Sequence, residues 1–175
     1  MDFCGPYDQY LAERDKPFLH APLLAGWEFR QKTPLVTEKG GWMSLAKAQD
    51  WVLPASMRQD LLSDAWAVII TDTDQLIRYV NPHFEAMTGY TSQETLGRRP
   101  NFLQGEGTSL RTRQHIRQAI DRQKSVRGRL LNYRKDRTPY WCQVVIRPIV
   151  NRQKQVVNYI AFEQEVEANG TPIVR

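Results

Sequence analysis

The chain has 175 residues, 41% hydrophobic and 25% charged, with a formal net charge of +5. That length suits one domain with extensions and a core of its own, and the composition excludes a disordered chain. No apolar run approaches the roughly 20 residues that a membrane-spanning helix needs, and the first six residues lack the basic-then-apolar pattern of a secretory leader, so no membrane contact and a cytoplasmic location are expected.

Residues 1–62 read as an N-terminal extension. Pro6, Pro17, Pro22, Pro34, Pro54 and the pair Gly40-Gly41 interrupt it, which leaves room only for short helices. The spacing predicts them over residues 6–14, over 44–51 with Ser44 as N-cap, and over 54–63 with proline at an early position where its missing N–H costs little. Eight aromatic residues between Phe3 and Trp51 predict that this arm packs on something, because a floppy tail lacks the apolar surface to offset its ordering entropy.

From residue 65 the pattern becomes β-rich. Residues 65–71 and 76–80 predict a hairpin closed by Asp72-Thr73-Asp74. Asn81-Pro82 predicts a helix start, an asparagine cap before a proline, with Phe84 and Met87 on one face and Gly89 ending it. Thr91 and Glu94 have capping-box spacing for a short helix. Thr108 or Ser109 caps a longer one, with Leu110, Ile116 and Ile120 as its apolar stripe to about residue 123. Three strands follow, over 126–133, 139–149 and 156–166, and the tail from residue 168 is expected to fray.

Two strands, helices and three more strands predict an α+β fold. It is a five-stranded antiparallel sheet with helices on one face, plus the helical, aromatic-rich N-terminal extension. A pocket is expected between helices and sheet. Alternation along the strands puts Cys142, Val144 and Ile146 on one face and Trp141, Gln143 and Val145 on the other. Trp66, Val68, Ile70, Trp141, Val145, Ile160 and Phe162 then make an apolar face too large to leave bare. The N-terminal arm, a second copy of the chain, or both are expected to cover it.

Residues 98–137 hold 12 of the 24 basic residues and only three acids, Glu106, Asp121 and Asp136, a local balance of +9. Such a segment is either a solvated face or a surface for phosphate, nucleic acid or an acidic partner; nucleic acid is the lesser reading. Arg113 and Arg117, four apart on a helix, suit a phosphate clamp or a solvated helix face. Cys4 and Cys142 make no disulfide framework, and the three histidines are scattered, so no metal site is expected. No nucleophile–base pair or phosphate loop occurs, so no catalytic residue is assigned and an enzyme is not expected.

Three ordered runs carry a family resemblance: Asn81-Pro82-His83-Phe84-Glu85-Ala86-Met87-Thr88-Gly89-Tyr90, then Leu96-Gly97 with Phe102-Leu103-Gln104-Gly105, then Leu131-Asn132-Tyr133-Arg134-Lys135-Asp136. Residues 65–166 resemble a PAS domain, and within that family the light-oxygen-voltage (LOV) subclass, which binds flavin mononucleotide. The domain is placed at 63–167. The resemblance implies that Arg117 falls at a phosphate-contacting arginine, Asn132 at an asparagine that reads the ring's polar edge, and Gln104 at the glutamine of the family's Phe-Leu-Gln run. It also marks departures. Pro100 stands where the family carries its photoactive cysteine. Arg99 replaces an asparagine and Asn101 a phosphate-binding arginine. Cys142 replaces a second ring-reading asparagine, Glu163 the glutamine that relays the signal to the last strand, and Arg137 a hairpin glycine.

A pyrrolidine cannot form the adduct that a thiol forms. Ring-edge groups left unpaired at Cys142 and Glu163 cost about 1–3 kcal/mol each, so no cofactor is expected, with flavin mononucleotide as the alternative. Glu163 on the pocket face must be paired, wet or raised in pKa; it is expected to meet Arg99 or a cationic or hydrogen-bond-donating ligand, or else to be a satisfied structural glutamate. Cys142 reads as a small buried hydrophobe. The expected function is a PAS sensory or protein-interaction module, acting as a homodimer and passing its signal in trans to an unidentified signalling protein. A flavin-binding light or redox sensor without the adduct is the alternative, and a basic-patch binder the second.

Overall fold

A computed structural model describes residues 41–173. The predicted helix at 6–14 lies outside them. Two helices precede the β-rich part, α1 (Gly41–Ala48) and α2 (Ala55–Leu62), with a two-residue strand, β1 (Trp51–Val52), between them. Helix α1 begins three residues before the expected Ser44 cap. It stops short of Trp51 because that residue is drawn into β1, where Trp51 and Val52 lie opposite Asn151 and Val150. Pro54 stands at the N-cap position of α2 with an extended backbone, one residue outside the helix rather than in its first turn.

The hairpin consists of β2 (Ala67–Asp72) and β3 (Ile77–Val80). Asp72 closes it, accepting from Leu76 N at 2.9 Å and pairing with Arg78 at 2.6 Å. Helix α3 (Pro82–Thr88) starts on Asn81, whose Oδ1 accepts from Phe84 N at 3.0 Å and also from Val68 N at 2.8 Å, while its amide donates to Trp66 O. One buried side chain thus caps a helix and completes a strand. Asn81→Ala is expected to cost about 2–3 kcal/mol, read as a lower urea midpoint; a loss under about 1 kcal/mol contradicts that double role. Gly89 ends α3 at φ 76°, in the region that glycine enters without strain.

Helix α4 (Ser92–Thr95) carries the full capping box between Thr91 and Glu94. A 3-10 turn over Pro100–Leu103 leads to helix α5 (Leu110–Asp121). Ser109 is its cap. Thr108, the other candidate, instead donates to Leu131 O at 2.6 Å and ties the helix entrance to the sheet.

Strands β4 (Val126–Tyr133), β5 (Pro139–Asn151) and β6 (Val156–Val166) complete one antiparallel sheet, in the order β1-β5-β6-β2-β3 with β4 also on β5. The short β1 makes it six strands rather than five. Arg137, in the β4–β5 turn, sits at φ 72°. The turn keeps the left-handed backbone that a glycine would take freely, at a cost of about 1–2 kcal/mol. Over the described residues after β6 the chain turns back on the strand: Val166 pairs with Pro172, and Ile173 N donates to Glu165 O.

The described chain covers part of each sheet face. On the outer face, Leu45 of α1 and Met57 and Leu61 of α2 pack over Val68, Ile70, Ile160 and Phe162. On the inner face, Ala67, Ile69, Ile77 and Val80 pack against Phe84 and Leu103. Farther along the inner face, toward β4, β5 and β6, the helices stand off and leave a cavity.

Candidate functional site

The cavity measures about 270 Å³ and opens between the inner face, the 3-10 turn and α5. Its walls follow from strand alternation. Leu130 and Asn132 of β4, Val144 and Ile146 of β5, and Ala161 and Glu163 of β6 point to the same side. Ile116 and Ile120, four apart on α5, close the opposite wall with Leu103. Gly128 allows the approach of α5 to β4, since a Cβ there would meet Ile116 Cδ1 at 3.2 Å.

Eight of the nine pocket residues expected from the sequence line this cavity. Arg99, Pro100, Asn101 and Gln104 come from the turn region, Arg113 and Arg117 from α5, and Asn132 and Glu163 from the sheet. The three arginines are exposed at the rim. Gln104 is held by a backbone bridge to Asn132, so the two residues are neighbours in the cavity wall. Cys142 does not line the cavity. It is fully buried within β5, opposite Leu130, and its thiol points to Gln143 O at 3.7 Å and toward Glu163. Burial, then the neighbouring carboxyl, pushes its pKa well above the ordinary range. It is an inert thiol at neutral pH.

Glu163 sits on the sheet's central strand with Ala67 and Val144 in register on either side. It is 6% exposed. Burial raises its pKa to about 7, opposed only by the Cys142 thiol. The expected partner Arg99 does not reach it: among the described residues Glu163 has no ion pair, and its Oε2 has no hydrogen-bond partner. The arginine stays in solvent at the rim while the carboxyl lies on the sheet floor.

Asn132 Oδ1 and the Tyr140 hydroxyl are also buried without a hydrogen bond of good geometry, while the Asn132 side chain lies close enough to the phenol to act against the rise in its pKa. Tyr140 was not anticipated, although the alternation that places Cys142, Val144 and Ile146 inside puts it on the same face. Burial first, then the Glu163 carboxyl, raises its pKa, and Arg134 lies 4.4 Å over its ring while pairing with Glu165 at 2.6 Å. Thr71 and Gln75 also line the cavity. Alternation from Ile69 finds Thr71; nothing in the local sequence marks Gln75, which enters from a turn at φ 63°.

The residues expected on the opposite, apolar face divide in two. Val68, Ile70, Ile160 and Phe162 lie beneath α1 and α2 and are 0–2% exposed. Trp66, Trp141 and Val145 remain half-buried. Trp66 meets Phe162 edge-on at 6.3 Å, and Arg129 lies 5.2 Å over Trp141. Among the described residues no three side chains of metal-ligating type converge, and no helix is long and apolar enough to cross a membrane.

A family model described as a PAS domain matches residues 65–168. Over 114 residues the chain is 38% identical to the rice (Oryza sativa subsp. japonica) protein phototropin-1A, which covers 65% of this chain and 12% of that protein. It is 37% identical over 118 residues to the blue-light photoreceptor of Listeria monocytogenes, covering 61% of this chain and 47% of that one. The chain therefore spans only an eighth to a half of these relatives. The dark structure of the LOV domain of the blue-light photoreceptor aureochrome1 superposes with a TM-score of 0.62 at 30% identity, over 67% of this chain and 88% of that one.

Proposed function

The chain belongs to the PAS domain family and is homologous to blue-light photoreceptors, and on that premise we propose that it is a sensory module that holds a small molecule without a covalent bond and signals in trans. The observation that carries this reading is the pair of unpaired polar atoms in the cavity wall, Asn132 Oδ1 and Glu163 Oε2. Buried polar atoms are nearly always paired. Two of them lining one cavity are explained by a partner that the cavity admits. Pro100 offers no nucleophile there, and the Cys142 thiol lies outside the lining. Output through a second copy or another protein is supported by the half-buried trio Trp66, Trp141 and Val145, beside the helices that cover the rest of that face.

A flavin is the second reading, favoured by the arginines at the rim. Arg113 and Arg117 suit its phosphate, and Gln104 and Asn132 offer amides to the ring's polar edge. Glu163 fits a ring acceptor only as the neutral acid, a form that its raised pKa makes available. When bound, a flavin would supply light absorption and redox chemistry.

Native mass spectrometry of the purified chain tests the proposal. A small molecule lost on denaturation is the expected result, with light scattering giving a dimer. A chain that carries nothing and whose thermal midpoint does not respond to added cofactors or nucleotides overturns the ligand reading. A monomer at high concentration overturns the dimer. Visible absorption of oxidised flavin would select the second reading.

A further inference from the structure

The floor of the cavity leaves acceptors open beyond the Cys142 thiol that approaches the Glu163 carboxyl. Glu163 is buried, its Oε2 is unpaired, and no described cation lies within ion-pair distance. Asn132 Oδ1, on the same wall, is unpaired as well. Asn132 Oδ1 accepts hydrogen, and above its raised pKa of about 7 the Glu163 carboxylate accepts at both oxygens and donates nothing. The rim has the opposite character. Arg99, Arg113 and Arg117 line it with no carboxylate partner among the described residues. Between floor and rim the walls are aliphatic, Leu130 and Val144 from the sheet facing Ile116 and Ile120 from α5. Opposed aliphatic walls suit a flat ring, and a volume of about 270 Å³ lies near the lower end of small-molecule sites.

We propose that the cavity takes a phosphorylated planar heterocycle of guanine type, with two adjacent N–H donors on the Glu163 carboxylate and its phosphate at Arg113 and Arg117. This rests on the reading that the cavity holds a small molecule, and names its class. Guanine presents a ring N–H and an exocyclic amino group side by side, one for each carboxylate oxygen. Hypoxanthine keeps the ring N–H and lacks the amino group. Adenine turns a ring lone pair toward the same place, which a carboxylate repels. The polar edge of a flavin flanks a single N–H with two carbonyl oxygens, so it meets a carboxylate less well than a guanine does. Two guanidinium groups four apart on a helix grip a phosphate oxygen each.

Isothermal titration of the full chain with guanosine, inosine and adenosine monophosphates and with flavin mononucleotide, beside native mass spectrometry, tests this. Guanosine monophosphate is expected to bind roughly 30-fold more tightly than inosine monophosphate, because the missing amino group leaves a buried carboxylate oxygen unpaired. Glu163→Gln should weaken guanosine monophosphate by a similar factor and inosine monophosphate much less, with its thermal midpoint showing that it folds. Arg117→Ala should weaken both alike. Equal affinity for the two purines, or no binding of guanosine monophosphate, overturns the assignment. If flavin or some other mass occupies the chain in that case, the guanine assignment falls and the ligand-binding reading stands; if none of the four binds and no mass is found, both fall.

Discussion

Glutamine in place of Glu163 is expected to stabilise the ligand-free chain by roughly 3 kcal/mol at about pH 8 and to change little near about pH 4. The folded pKa is raised from 4.5 to about 7 because the carboxyl is buried on the sheet floor. Between those two values the unfolded carboxyl has released its proton and the folded one has kept it. The unfolded state then binds fewer protons, so stability falls as pH rises through that window and levels off above the folded pKa. A glutamine has nothing to titrate, and its stability should lack this decline. Urea denaturation of both proteins across the window measures the difference. Parallel curves would mean that Glu163 is solvated or paired in solution.

Truncating Leu45 to alanine is expected to cost about 3 kcal/mol. Leu45 is fully buried and joins α1 to Val68, Ile70, Ile160 and Phe162 on the outer face. Its removal leaves a cavity under a helix of only eight residues, which has little stability of its own. The urea midpoint should fall, and the uncovered apolar face should bind a hydrophobic dye. A cost below about 1 kcal/mol would show that α1 is not seated on the sheet in solution.

The elements that the sequence disclosed well are those set by local chemistry. Asn81-Pro82, the Thr91–Glu94 box and the strand ends at Tyr133, Pro139 and Val166 depend on neighbours a few residues away, and the structure places them where expected. What was not legible depended on distant partners. Strand β1 is two residues long and exists because Asn151 and Val150 offer an edge; no periodicity marks it, and it displaced the predicted α1. The apolar outer face was read as needing a cover; its division into a part beneath α1 and α2 and a half-buried part around Trp141 rests on which helix reaches which strand. Eight of the nine candidate residues line the cavity. Cys142 lies within the wall rather than at its surface, because the strand packs its thiol against Glu163 and not into the opening.

The indole of Trp51 donates to Asn158 Oδ1 at 3.0 Å, and the amide of Asn158 donates to Thr71 O at 2.9 Å. Asn158 is fully buried. This polar stitch runs from the segment between the two outer helices, through β6, to a β2 residue that lines the cavity. A purely apolar contact would let the helix pair creep by small steps over the sheet. A buried amide cannot be half-released, because each intermediate position strands an unpaired group at a cost of about 1–3 kcal/mol. The stitch therefore fixes the register of the cover on the sheet, and the residue that fixes it shares a strand with Tyr159, Ala161 and Glu163 on the cavity wall.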